Sequence, residues 1–385
     1  MSEKNEIPSA RPSFDESSIE SILKDVEEIL RSGILAESSP GSESPNVKKF
    51  EEMFAKYVGT KEAIAVSCGT AAVEIPLRYF DIKGGEVIVP TNTFIASANA
   101  VIYAGGKPVL ADIKKETLCI DPDDAQSRIT SKTRGIMVVH VAGLVCPEIH
   151  ELREICQDQG LFLIEDAAHA HGATIDGKKA GSLGDVGSFS FFPTKVMTTC
   201  EGGMITTDDH DLARMARRMR NHGRDEKTGL VVTLGYNWLM DEIGAVIGIH
   251  QLEQLEKFVE KRNDIAKKYN KGLQEIEGVE PVFTPLNIRN SYYKYPVYLD
   301  EGIDPSRLTQ FLKFEYHISV GNIYYPPCHL MPLYREMFGY KGGELPISEQ
   351  VLKRVIALPM HVNITDMEIN RVLKGLATGV NALKE

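Results

Sequence analysis

Gly187-Ser-Phe-Ser-Phe-Phe-Pro-Thr-Lys-Val-Met-Thr-Thr-Cys-Glu-Gly-Gly203 carries the residue on which the reading of this chain turns, Lys195. The lysine stands between two apolar, strand-like stretches, just past Pro193 and shortly before Gly202-Gly203. A strongly hydrated ammonium is rare in such company, because burial disfavours the charged form and lowers its pKa. The same shift makes the amine nucleophilic and able to form a Schiff base with an aldehyde. A lone lysine is more often a solvated surface residue, so the weight comes from its companions.

Asp166 closes the hydrophobic run Leu161-Phe-Leu-Ile-Glu-Asp166 upstream. Ser67-Cys-Gly-Thr-Ala-Ala72 follows another apolar run and opens a helical stretch. Its small residues let the backbone approach a phosphate at a helix N-terminus. Each feature has an ordinary explanation: Asp166 can cap a helix starting at Ala167, and a Gly-Thr turn can simply join a strand to a helix. Together, a phosphate turn, an aspartate for a pyridinium nitrogen and a lysine for an aldehyde carbon are the anchors that pyridoxal phosphate needs.

Short β-rich runs recur at 63–67, 86–90, 108–111, 135–139, 161–165, 186–190 and 204–207, with helical stretches such as 149–159 between them. This alternation predicts an α/β domain with a mostly parallel seven-stranded sheet covered by helices on both faces. Ligands of such sheets collect at the carboxyl ends of the strands, where Asp166, the 67–70 turn and the strand before Lys195 all fall. Upstream, Ile19, Ile22, Leu23, Val26, Ile29 and Leu30 predict a helix over 17–31 that stops at Gly33. A Ser-, Gly- and Pro-rich loop at 36–44 follows, and Pro45 opens a helix ending at Gly59. A long amphipathic helix covers about 242–275. Beyond it come a strand at 294–299, a helix opened by Asp304-Pro305 and a last helix behind the capping box Thr365-x-x-Glu368. The expected organisation is an N-terminal helical segment (1–60), a large cofactor-binding α/β domain (61–250), and a linking helix with a smaller C-terminal α/β domain (251–385).

The 385 residues are 43% hydrophobic and 25% charged, as in soluble globular proteins. A net charge of −11 argues against nucleic acid or an anionic membrane as main partner, although local donors can still hold an anionic small molecule. The cysteines Cys68, Cys119, Cys146, Cys156, Cys200 and Cys328 are scattered without a Cys-x-x-Cys pair. Reduced thiols are expected, with neither a disulfide framework nor a metal site. The polar N-terminus lacks a signal-peptide core, and no apolar run approaches the ~20 residues of a membrane span, so a cytoplasmic protein is expected.

Further stretches carry a resemblance. They are Phe50-Glu-x-x-Phe-Ala-Lys-Tyr-Val-Gly59, Val87-Ile-Val-Pro-Thr-Asn-Thr-Phe94, Ile164-Glu-Asp-Ala-Ala-His-Ala-His-Gly-Ala173 and Gly181-Ser-Leu-Gly-Asp185. Glu201-Gly-Gly203, Gly235-Tyr-Asn237 and His329-Leu-Met-Pro-Leu-Tyr334 extend it over nearly the whole chain. With the lysine segment they resemble the DegT/DnrJ/EryC1/StrS sugar aminotransferases, which are fold-type I pyridoxal-phosphate enzymes. The resemblance implies that Lys195 is the Schiff-base lysine and the acid/base that moves the proton between substrate and cofactor C4′. It implies that Asp166 pairs with the pyridine nitrogen, Phe94 stacks on the ring, and Gly69, Thr70 and Ser190 bind the phosphate. His169 would stand near the 3-hydroxyl, Asn237 would reach the phosphate from a second subunit, and His329 and Tyr334 would serve the sugar side of the cleft. A homodimer with shared sites follows from the resemblance.

Where many relatives have an arginine able to meet a donor carboxylate, this chain has Leu239, and Gly244 replaces a glutamine. Arg220 or Arg224 could substitute for that arginine. His171, Cys200 and the 36–44 segment are further departures. Some members carry histidine in place of the lysine and act as dehydratases; Lys195 is retained, which favours transamination. The implied activity is ping-pong transfer of an amino group from an amino acid, L-glutamate above all, to a keto-sugar attached to a nucleotide. Thr198-Thr-x-Glu-Gly-Gly203 resembles members acting at C-4 more than those acting at C-3. Two alternatives remain open at this point: a non-nucleotide sugar or cyclitol as acceptor, and a cofactor-binding regulatory protein without turnover.

Overall fold

The computed structural model describes residues 6–37 and 44–384. Helix α1 (Glu16–Ser32) begins at Asp15, whose side chain accepts the Ser18 N–H at 2.8 Å, and ends at Gly33 with φ 74°. Pro45 sits in the first turn of α2 (Pro45–Val58), which stops at Gly59. Most of the 36–44 loop expected from the sequence lies outside the described residues.

The chain then alternates through β1 (Glu62–Val66), α3 (Gly69–Tyr79), β2 (Glu86–Pro90), α4 (Ile95–Tyr103), β3 (Lys107–Ala111), α5 (Pro122–Ser127), β4 (Thr133–Val139), α6 (Ile149–Gln159) and β5 (Phe162–Asp166). The short strands β6 (Thr174–Ile175) and β7 (Lys178–Lys179) precede β8 (Val186–Ser190), β9 (Gly203–Thr207) and α7 (His210–Arg220). Seven strands form one sheet in the order β1-β9-β8-β5-β4-β2-β3. Only β9 runs against its neighbours β1 and β8; the other pairs are parallel. The remaining strands therefore open their carboxyl ends on one edge, where ligands of such sheets bind.

Alternation along each strand splits the core into two layers. Ile64, Val66, Val87, Val89 and Met137 pack with α3 and α4 on one face. Ala63, Ala65, Ile88, Ile136 and Val138 share the other with Phe50 and Phe54 of α2 and Leu255 further on. The mostly parallel seven-stranded sheet between helices is as the sequence predicts.

Helix α8 (Glu242–Leu273) starts at Asp241, whose carboxylate accepts the Gly244 N–H at 2.7 Å. It leads to β10 (Val279–Pro281), β11 (Ile288–Arg289), β12 (Tyr295–Leu299), α9 (Pro305–Tyr316) and β13 (Gly321–Asn322). Then come α10 (Pro332–Phe338), α11 (Pro346–Val351), β14 (Val355–Leu358) and α12 (Asp366–Lys384). A second sheet, β10-β12-β14-β13, is antiparallel throughout, while β11 joins β6 and β7. Tyr269 of α8, Val297, Leu312, Ile356 and Leu376 form a separate core around that sheet. The N-terminal residues are divided between the cores: Ile7 is buried with this second one, α2 with the first. The capping box forms, with the Thr365 N–H donating to Glu368 at 2.8 Å and the Glu368 N–H donating back to Thr365 Oγ1 at 3.2 Å. Among the described residues no helix is long and apolar enough to cross a membrane.

Candidate active site

A cavity of about 390 Å³ lies at the carboxyl edge of the large sheet, and Gly69, Thr70, Phe94, Asp166, His169, Ser190 and Lys195 all line it. At one end α3 begins. Cys68 precedes the helix without a side-chain cap, so the first N–H groups of α3 keep their capacity to hold an anion. The start of this helix is pressed against the end of β8: a Cβ on Gly69 would fall 2.6 Å from Cβ of Ser190. Only glycine allows that approach, which sets the Thr70 and Ser190 hydroxyls beside the helix terminus. Unpaired N–H groups and two hydroxyls, with no carboxylate among them, are a donor set that fits a phosphate.

Asp166 is the last residue of β5. Its Oδ2 accepts a 2.6 Å hydrogen bond from Ser97, itself 2.7 Å from Thr93 Oγ1, and its Oδ1 accepts the Ala168 N–H at 3.1 Å. The helix that would have made Asp166 an ordinary cap is absent, since turns occupy the residues after it. A buried carboxylate held by donors on both oxygens is suited to pair with a pyridinium nitrogen. Phe94, just before α4, keeps 58% of its surface exposed, which leaves a ring face free for stacking.

Lys195 sits in the loop between β8 and β9. Its N–H donates to the Phe192 carbonyl at 2.9 Å, closing a turn with Pro193 at the second position, and the Phe191 N–H to Gly202 carbonyl bond of 2.9 Å fixes the loop's base. The chain is thereby folded back, and Nζ lies 4.7 Å from the centre of the Tyr293 ring. Burial pushes the Lys195 amine down to about 8, with Asp166 pulling the other way and the Lys294 charge adding to the fall. A sizeable neutral fraction near neutral pH is what a nucleophilic amine requires.

The His169 imidazole accepts the Ala142 N–H on Nδ1 at 3.3 Å, and Nε2 is 2.8 Å from the Tyr324 hydroxyl. Burial, then the nearby charges of Lys195 and Lys294, holds its pKa well below the ordinary histidine value. A neutral ring accepting on Nδ1 carries its hydrogen on Nε2 and donates it to Tyr324, leaving the phenol hydrogen available to the cavity.

The sequence matches the DegT/DnrJ/EryC1/StrS aminotransferase family over residues 16–377. The GDP-perosamine synthase of Caulobacter vibrioides is 38% identical over 334 residues, covering 86% of this chain and 89% of that protein. A dTDP-3-amino-3,4,6-trideoxy-alpha-D-glucose transaminase of Micromonospora megalomicea is 31% identical over 367 residues, covering 94% and 95%. The PLP form of Spr1654 from Streptococcus pneumoniae superposes with a TM-score of 0.89 at 27% identity, covering 98% of this chain and all of that one. The chain belongs to this family. It is an aminotransferase of fold type I with pyridoxal phosphate as its cofactor.

Three residues singled out from the family's sequence pattern stand outside the cavity lining. Asn237 is exposed on the excursion between α7 and α8, where it bridges to Asn221. His329 is fully buried, its Nδ1 2.8 Å from Thr91 Oγ1 and its Nε2 3.0 Å from Glu349 Oε1. Tyr334 is buried too, and its hydroxyl donates to Asn99 at 2.6 Å. The last two direct their polar atoms to Thr91, Glu349 and Asn99, none of which lines the cavity.

The departures also find places. Leu239 does not line the cavity, and Gly244 sits in the capped first turn of α8. Arg220 is spent on Glu51 and on the Ala65 carbonyl at 2.8 Å, and Arg224 is in the same excursion as Asn237, bridged to Val231. Neither arginine faces the cavity. Conversely, Ser97, Tyr293, Lys294 and Tyr324 line it and were not singled out from the sequence. For Lys294 a signal was present: in Tyr292-Tyr-Lys-Tyr295 a lysine enters a buried strand, the very oddity that marks Lys195.

Proposed function

We propose that this aminotransferase moves an amino group from L-glutamate to the keto group of a nucleotide-linked sugar, at C-4 rather than C-3, as a homodimer with shared sites. The carrying observation is the Lys195 amine, lowered to about 8, facing the cavity that also holds Asp166 and the uncapped start of α3. Two relatives named as making GDP- and dTDP-linked aminosugars support the sugar-nucleotide acceptor. The C-4 position rests on the Thr198-to-Gly203 segment.

Pyridoxal phosphate, when bound, supplies an aldehyde carbon and an electron-withdrawing ring. Asp166 would hold the ring nitrogen protonated, Phe94 would stack on the ring, and Gly69, Thr70 and Ser190 would hold the phosphate. His169 would orient the Tyr324 hydroxyl towards the cofactor. Lys195 Nζ would hold the aldehyde carbon of the cofactor and, as the amine facing the cavity, would take and return the substrate proton. Asn237 completes the phosphate site of a second copy. Leu230, Val231, Val232 and Leu234 are exposed on the same excursion and supply an apolar surface for that contact.

The test is an absorbance spectrum of the purified protein with and without L-glutamate. The expected result is a near-visible band that glutamate discharges and that Lys195→Ala lacks. Keto-sugars linked to GDP and dTDP are then offered to the discharged enzyme, with the aminated carbon located by NMR. Amination of a keto-cyclitol but of no nucleotide-linked sugar would overturn the acceptor; a C-3 amine would overturn the position. Light scattering that reports a monomer would overturn the shared site.

A further inference from the structure

An amino-acid donor brings a carboxylate that the site must hold one carbon away from the reacting amine. Arginine is the usual solution, because its planar fork meets both oxygens. Here Leu239 stands in its place, Arg220 is spent on Glu51 and the Ala65 carbonyl, and no arginine lines the cavity within one copy of the chain. Arg262 is likewise outside the lining, with its Nη1 donating to the Tyr292 and Met360 carbonyls at 2.9 and 3.0 Å.

The cavity nevertheless has a second cation. Lys294, immediately before β12, lines it together with Lys195. The two ammonium groups flank one ring: Lys195 Nζ is 4.7 Å and Lys294 Nζ 5.8 Å from the centre of Tyr293. Lys294 also lies 5.4 Å from the Tyr324 ring, on the side of His169 rather than the phosphate turn. It donates to the Asn322 carbonyl at 2.7 Å, which aims the head group and leaves two of its hydrogens free. Burial lowers its pKa to about 8, and no carboxylate contributes to that shift.

Among the described lining residues, Lys294 is the cation left over once Lys195 has been used to hold the cofactor. In an amino acid the carboxylate carbon lies only ~2.5 Å from the amine nitrogen. An amine reacting at the place of Lys195 Nζ thus carries its carboxylate into the space that Lys294 overlooks. Resting on the function proposed above, we infer that Lys294 is the residue that receives the α-carboxylate of the amino donor, in place of the arginine that Leu239 replaces.

The test compares cofactor-loaded wild type with Lys294→Met and Lys294→Arg. The probe is 2-methyl-L-glutamate, which has no α-proton to lose and so reports binding without turnover. Its equilibrium dissociation constant is read from the shift of the cofactor's absorbance. Lys294→Met should weaken it roughly ten- to a hundredfold, the worth of a charge-assisted hydrogen bond. Lys294→Arg should restore most of the loss, whereas the cofactor band and melting temperature should be alike in all three proteins. An unchanged dissociation constant in Lys294→Met overturns the inference while leaving the proposed function standing. So does a loss confined to the sugar nucleotide, which would make Lys294 an acceptor residue. A wild type whose band 2-methyl-L-glutamate cannot perturb overturns the glutamate reading itself.

Discussion

Ser97, in the first turn of α4, donates a 2.6 Å hydrogen bond to Oδ2 of Asp166 at the end of β5. Its hydrogen is thereby committed, so the Thr93 hydroxyl, 2.7 Å away, must donate to Ser97 in turn. This short relay sets the angle at which the carboxylate faces the cavity. Ser97→Ala should weaken pyridoxal-phosphate binding roughly tenfold, as expected for one hydrogen bond to a charged group. Fluorescence titration of the apoprotein measures it, and wild-type affinity would show that Asp166 needs no such support.

Lys195 gives a pH dependence. With its amine lowered to about 8, the neutral fraction grows about tenfold per pH unit below that value and saturates above it. Reconstitution of apoprotein with pyridoxal phosphate, followed as growth of the visible band, should therefore accelerate up to about pH 8 and then level off. A rate still climbing at pH 10 would mean that burial does not depress this lysine.

Gly69 tests the packing behind the phosphate turn. Gly69→Ala puts a methyl group 2.6 Å from Ser190 Cβ and 3.3 Å from Ser190 Cα, so α3 and β8 must separate. A loss of about 1–3 kcal/mol is expected from overpacking, with cofactor affinity falling as well. Gly302→Ala is the control: its Cβ meets nothing within 4 Å and should leave denaturant midpoint and affinity alone.

His171 is buried against Phe189 and Phe191, and only the Ser190 backbone offsets that burial. Burial, helped by the Lys195 charge, depresses it to about 3. Below its unfolded value of about 6.5 the unfolded chain takes up a proton that the folded protein refuses. Stability attributable to this group is thus whole above that value and falls by about 1.4 kcal/mol per pH unit as pH drops towards 3. His171→Leu should flatten the denaturant midpoint against pH between 6 and 4, and an unchanged slope would locate the acid sensitivity elsewhere.

Much of the fold was legible in residue order. Apolar runs at the large-sheet strands, the Gly33 and Gly59 stops, and the Thr365–Glu368 box lie within a residue or two of the observed elements. Short helices escaped: α10 and α11, of seven and six residues, are too brief for a 3.6-residue period to show. Asp166 lies one residue beyond the strand expected over 161–165 and is the last residue of β5, at the carboxyl edge of the sheet.

The sequence by itself determined the residues whose meaning is local: a lysine after a proline turn, an aspartate ending a strand, a glycine opening a helix. Backbone geometry and strand polarity are written in consecutive residues, so these positions point to one edge of one sheet. Tertiary structure alone decided which distant groups meet. It brought Ser97 to Asp166, Tyr324 to His169, and Lys294 to the ring that Lys195 also faces. It also turned His329 and Tyr334 onto Glu349 and Asn99 instead of the cavity. These pairings follow from the need to satisfy buried polar atoms once two separate cores have packed, a constraint that no local pattern in the sequence records.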